Sequence, residues 1–194
     1  CRNAARLDRA HERGLARLAG WLRRLFGQGS SQQQNQQRQG AAQDHGAVTL
    51  VSDDPLSSLL SHSKLTLGMQ LRAKGITNPN VLHAMLDQVP RERFVIGSMV
   101  DRSYEDVTLP IGSGQTISRP YIVALMTQLL EPDPGKTVLE IGTGCGYQAA
   151  VLSKLFNHVY SIERHADLAE TAEERLRQLD YTNVSVHFGD GFLG

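Results

Sequence analysis

The chain has 194 residues, is 40% hydrophobic and carries 20 basic against 20 acidic residues, a formal net charge of zero. That is apolar material for one globular domain with extensions, and the neutral balance gives no whole-chain reason to expect nucleic acid as a partner. Two cysteines, Cys1 and Cys145, supply neither a disulfide framework nor metal-ligand spacing, so no metal is expected and a reducing, cytoplasmic setting is the default. No apolar run nears the length of a membrane span, and no secretory pattern opens the sequence.

Residues 1–27 are arginine-rich, with Leu7, Leu15, Leu18, Leu22 and Leu25 near helical spacing. They read as a basic amphipathic extension that could lie on an anionic membrane or a partner, though the preferred reading is a poorly ordered chain end. Residues 28–52 follow as a flexible linker dominated by glutamines such as Gln32, Gln33, Gln34, Gln36 and Gln37. Such a tract has too little to bury to offset its ordering entropy.

The folded part is expected over 53–194. Asp53, Asp54 and Pro55 sit where a helix starts, the apolar residues from Leu59 to Leu71 continue it, and Gly75 stops it. Asn78-Pro79 opens a second helix carrying Val81, Leu82, Met85, Leu86 and Val89, closed by Pro90. Residues 101–118, with Pro110, Gly112 and Gly114, read as mostly loop. A helix from Arg119 to about Leu130 ends before Pro132 and Pro134. Then strand and helix alternate: strand Thr137–Ile141, helix Tyr147–Phe156, strand His158–Glu163, helix Ala166–Leu179, strand Val184–Phe188. That alternation predicts an α/β fold with a parallel sheet and right-handed crossovers.

The segment from Val138 to Tyr147 carries the most chemistry. A strand runs into Gly142-Thr143-Gly144-Cys145-Gly146 and then a helix, so a ligand can approach the backbone at a helix N-terminus. Dinucleotide enzymes use such a turn as well, and an NAD-binding oxidoreductase is one alternative. Glu140 argues against it. A carboxylate about 4 Å from a pyrophosphate costs on the order of 4 kcal/mol at an effective dielectric near 20. A ligand bearing an ammonium and a sulfonium, such as S-adenosylmethionine, is attracted instead. Glu163 ends the next strand 23 positions after Glu140, where an acid can accept hydrogen bonds from ribose hydroxyls. Gly189-Asp190-Gly191 ends the third strand, where Asp190 can accept from an adenine amino group while Gly191 lets the base lie close. The cofactor-binding candidates are therefore Glu140, Ile141, Gly142, Thr143, Gly144, Gly146, Glu163, Asp190 and Gly191. Each acid also has a plain reading: Glu140 facing water, Glu163 pairing with Arg164, Asp190 in a simple turn. Three successive strand ends aimed at one crevice favour the ligand.

These features resemble the class I, S-adenosylmethionine-dependent methyltransferases, whose domain is Rossmann-like. Leu109-Pro110-Ile111-Gly112-Ser113-Gly114-Gln115-Thr116-Ile117-Ser118-Arg119-Pro120-Tyr121 narrows the resemblance to the protein-L-isoaspartate O-methyltransferases. Val89-Pro90-Arg91-Glu92-Arg93-Phe94-Val95, the glycine turn with Tyr147-Gln148, and Gly189-Asp190-Gly191 look like the same family over about residues 56–194. Cys145 stands where the family more often has Ser. The resemblance implies methyl transfer from S-adenosylmethionine to the side-exposed carboxylate of L-isoaspartyl or D-aspartyl residues, in damaged proteins and peptides as substrates, as a repair step. It implies Ser118 as the active-site residue, with Thr116, Ile117 and Ser118 holding the substrate. The family sheet has seven strands, so the sequence is expected to stop after the third, and an inactive fragment is one alternative. A methyltransferase acting on RNA or a small molecule is another. From the residues alone, Ser118 can equally cap the helix that begins at Arg119-Pro120. A monomer is expected.

Overall fold

In the computed structural model, residues 54–192 are described; the extension 1–27, the linker 28–52, Asp53 and the last two residues lie outside them. Helix α1 spans Pro55–Ala73, its N-cap Asp54 accepting from the backbone N–H groups of Leu56 and Ser57. It ends at Lys74, and Gly75 takes the left-handed turn there (φ +90°). Helix α2, Pro79–His83, is capped by Asn78, whose side chain accepts from Asn80 and Val81.

The second helix does not run on regularly to Pro90. Residues Ala84–Gln88 form a π turn, and the Val89 N–H reaches the Ala84 carbonyl five residues back at 2.9 Å. The proline ring disfavours helical geometry at Val89, which is extended, and the widened turn keeps Ala84, Met85 and Val89 in the core.

The segment expected to be mostly loop is more ordered. After 3₁₀ turns at Arg91–Arg93 and Gly97–Arg102 comes an antiparallel hairpin, β1 (Leu109–Gly112) with β2 (Gln115–Ile117). Helix α3, Pro120–Leu129, follows. The alternating part then falls on its expected strands: β3 (Thr137–Ile141), α4 (Tyr147–Ser153), β4 (His158–Glu163), α5 (Ala166–Gln178) and β5 (Val184–Phe188). Helix α4 stops three residues short of Phe156. Asn183 Nδ2 donates to the carbonyls of Ser153, Phe156 and Asn157, satisfying the chain where it turns toward β4.

The three strands are parallel in the order β3–β4–β5, pairing Glu140 with Ser161 and Glu163 with Phe188. Apolar side chains of α1, α2, α3, α4 and α5 share one buried cluster with Val159 of β4 and the hairpin residues Leu109 and Ile117. Ile141 on β3 and Phe188 on β5 remain 56% and 68% exposed, as does much of Leu129 at the end of α3. No described helix is long and apolar enough to cross a membrane.

Candidate functional site

The turn after β3 is shaped by its glycines. Gly142, Gly144 and Gly146 all have positive φ (+95°, +55° and +88°), a conformation that side-chain-bearing residues rarely adopt. Gly146 is the N-cap of α4, and a Cβ there would meet Leu176 of α5 at 3.2 Å. Arg175 of α5 donates to the Cys145 carbonyl at 2.8 Å, holding the turn from behind.

Beside this turn lies a cleft of about 460 Å³. Its wall holds Thr116, Ile117 and Ser118 from the hairpin's exit together with Glu140, Ile141, Gly142, Thr143 and Gly144. Gly146, Glu163, Asp190 and Gly191 are not on that wall. Glu163 sits beneath it, accepting from the N–H groups of Gly144 at 2.9 Å and His165 at 3.0 Å. Gly191 abuts Ile141 so closely that an added Cβ would come within 2.7 Å of it. A groove of about 720 Å³ along the outer face of α5, where Glu174 and Arg177 pair with each other, gathers none of the candidate residues.

Glu140 does not stand exposed at the mouth of the crevice. It is only 9% exposed and accepts from the Ser161 hydroxyl on β4, which in turn sits 2.6 Å from the Thr143 hydroxyl. Burial pushes its carboxyl up to about 8; the Ser161 hydroxyl opposes that, and the nearby Glu163 charge adds to it. At pH 7 most Glu140 carboxyls are therefore protonated when only these groups surround them.

Ser118 is exposed, and among the described residues its hydroxyl has no partner. It is not the cap of α3. Arg119 occupies the cap position but its side chain caps no helix N–H, and Asp106 accepts from the Tyr121 N–H at 2.9 Å instead. Asp106 also pairs with Lys74 at 2.6 Å and Arg119 at 2.7 Å, joining the end of α1 to the start of α3. Sequence reading assigned no role to Asp106, Ser161 or Arg91. Their importance rests on partners 12 to 32 positions away, which spacing does not encode.

The model of the protein-L-isoaspartate (D-aspartate) O-methyltransferase (PCMT) family matches residues 62–194. The chain belongs to this family. It is 56% identical over 129 residues to the protein-L-isoaspartate O-methyltransferase of Yersinia enterocolitica, across 66% of this chain and 62% of that relative. Identity to the Yersinia pestis relative is 54% over the same shares. The chain thus spans a little under two thirds of the curated relatives it matches. A solved protein-L-isoaspartate O-methyltransferase superposes with a TM-score of 0.59 at 31% identity, covering 66% of this chain and 42% of that one. A Plasmodium falciparum protein-L-isoaspartate O-methyltransferase in complex with S-adenosyl-L-homocysteine superposes with a TM-score of 0.53 at 25% identity, covering 63% and 61%. The Rossmann-like fold of the class I methyltransferases is the fold of residues 54–191, with three parallel strands of its sheet present.

Proposed function

We propose that the protein carrying this chain transfers a methyl group from S-adenosylmethionine to the carboxylate of L-isoaspartyl or D-aspartyl residues in damaged proteins and peptides, in the cytoplasm. The observation that carries the reading is that Thr116–Ser118 on one side and the glycine turn on the other wall the same cleft. The turn fits this cofactor. Its glycine backbone admits a close ligand; Glu163 beneath it suits ribose hydroxyls, and the buried Glu140 carboxyl is placed where an approaching ammonium would draw it into its ionised form. Family membership and the S-adenosylhomocysteine held by the Plasmodium falciparum relative support the same choice.

The chemistry the cofactor supplies when bound is a methyl electrophile on a sulfonium. The acceptor needs no base, because a free carboxylate with an ordinary pKa near 3.9 is already ionised at pH 7. What the chain's own residues do is orient and desolvate. The unpartnered Ser118 hydroxyl donates to the acceptor carboxylate, and the backbone of Thr116 and Ile117 lines the approach. Ile141, Thr143 and Gly144 flank the cofactor, while Glu163 accepts from its ribose and Asp190 and Gly191 flank the adenine.

The test is radiolabelled methyl transfer to an isoaspartyl peptide, its aspartyl counterpart and bulk RNA, using the intact protein. Label should enter the isoaspartyl peptide alone. Ser118→Ala should lower turnover about ten- to a hundred-fold with cofactor affinity unchanged, the worth of one hydrogen bond to a charged group acting in the transition state. Equal labelling of the aspartyl peptide or of RNA would defeat the reading.

A further inference from the structure

Arg91 is the bulkiest fully buried side chain, with no exposed surface. No carboxylate pairs with it among the described residues. Its Nε donates to the Ser103 carbonyl and its Nη2 to the Ser118 carbonyl, both at 2.8 Å. The guanidinium carbon lies 4.6 Å from the centre of the Tyr147 ring. Nη1 is buried with no hydrogen-bond partner among the described residues. Its backbone N–H donates to the Tyr104 hydroxyl at 3.2 Å, and that hydroxyl donates to Glu92.

A cation buried with no anion beside it is an expensive way to fill a core, and an apolar side chain of similar length would cost less. Stability alone does not account for it. The planar fork does account for it, since it fixes two carbonyls at once and stacks on an aromatic face, which neither a lysine nor an apolar chain can do together. One of those carbonyls belongs to Ser118. The ring belongs to the first residue of α4, directly after the glycine turn. The two walls of the cleft are thus set against each other through one side chain.

We infer that Arg91 is a positioning residue, holding the Ser118 main chain in register with the glycine turn so that acceptor and methyl donor meet in line. The inference rests on the methyl-transfer reading above. It predicts loss of turnover without loss of cofactor binding, because the turn itself is held separately by Arg175 and Leu176.

The experiment compares the unaltered intact protein with Arg91→Met, Arg91→Lys, Ser118→Ala and the Arg91→Met/Ser118→Ala pair. Readouts are kcat and KM for an isoaspartyl peptide, S-adenosylhomocysteine affinity by calorimetry, and thermal melts. Both Arg91 variants should lose about ten- to a hundred-fold in kcat, the scale of a misplacement near 1 Å, with S-adenosylhomocysteine affinity within about twofold. The double variant should be no slower than the slower single one, because Arg91 acts through Ser118. If Arg91→Met does not fold, Arg91→Lys and its pair with Ser118→Ala make the same comparison. Full kcat in either Arg91 variant overturns the inference, as does multiplication of the two losses or a parallel fall in S-adenosylhomocysteine affinity. An unaltered protein that fails to methylate the isoaspartyl peptide overturns the functional reading and this inference with it; full activity in Arg91→Met overturns this inference alone.

Discussion

Glu140 shows how much one residue's environment changes its chemistry. Its position two residues before Gly142 is plain in the sequence, yet its charge state depends on Ser161 across the sheet and on Glu163 beneath the turn. The raised carboxyl has a definite sign for stability. Below the ordinary value near 4.5 the group is protonated folded or unfolded, so its contribution is fully present; it is lost as pH rises through about 8. Glu140→Gln should therefore melt at the same temperature as the unaltered protein near pH 4 and above it near pH 9. Binding of a cationic cofactor should release protons near pH 7 and tighten from pH 6 to pH 8, and Glu140→Gln should abolish both effects. Calorimetry in buffers of different ionisation enthalpy reads this directly, and an unchanged proton count in the variant would remove Glu140 from the ammonium site. Glu163, tied to two backbone N–H groups, is already arranged as an acceptor. Its replacement by Ala should weaken S-adenosylhomocysteine binding by about 1.5 to 3 kcal/mol.

At the scale of elements, the hairpin β1–β2 decides whether there is a cleft at all. Its strands are four and three residues long, too short for alternation to reveal, and its tip residues Gly112, Ser113 and Gly114 all adopt positive φ. Ile111 packs within 3.2 Å of where a Gly144 side chain would begin, and the Ser113 hydroxyl donates to Asp167 at the start of α5. Asp106, just before β1, anchors the entry of this hairpin to the start of α3. Burial pushes its carboxyl up, but Arg119, Lys74 and the Tyr121 N–H together hold it well below the usual carboxylate range. Its stabilisation is present above the unfolded value and lost as pH falls toward the folded one. Asp106→Ala should cost about 1 to 2 kcal/mol at pH 7, roughly 1 from the lost cap and less than about 1 from the half-exposed pairs. Urea melts should show that gap closing in strong acid; a gap constant down to pH 2 would mean the carboxylate does not supply the stabilisation.

At the scale of the whole molecule, the sheet of three parallel strands leaves β3 and β5 at its edges, with Ile141, Phe188 and Leu129 exposed. The family match begins at residue 62, and the first described helix starts at Pro55. The basic and glutamine-rich residues 1–46 lie outside the residues that the family model matches, and the glutamine tract has little to bury. Their deletion from the intact protein should leave methyl transfer to an isoaspartyl peptide within about twofold, since the described residues that wall the cleft all lie from Ile111 onward. A large fall in turnover with the domain still folded would place them in the active machinery.

The sequence by itself determined the alternating strands and helices from Thr137 to Phe188, the glycine turn and the acids at three strand ends. Apolar periodicity and glycine punctuation are local, and a parallel sheet follows from them. It also placed two helix starts, at Asp53-Asp54-Pro55 and Asn78-Pro79, because a cap bonds to residues two or three positions on; the structure shows Asp54 and Asn78 as the capping side chains. Only the tertiary structure decided that Glu140 is buried, that Asp106 and not Ser118 caps α3, that the loop region is a hairpin roofing the turn, and that Arg91 joins the two walls of the cleft. Each of these depends on partners brought together from distant positions, and burial and through-space charge are properties of that assembly, which no local window of residues carries.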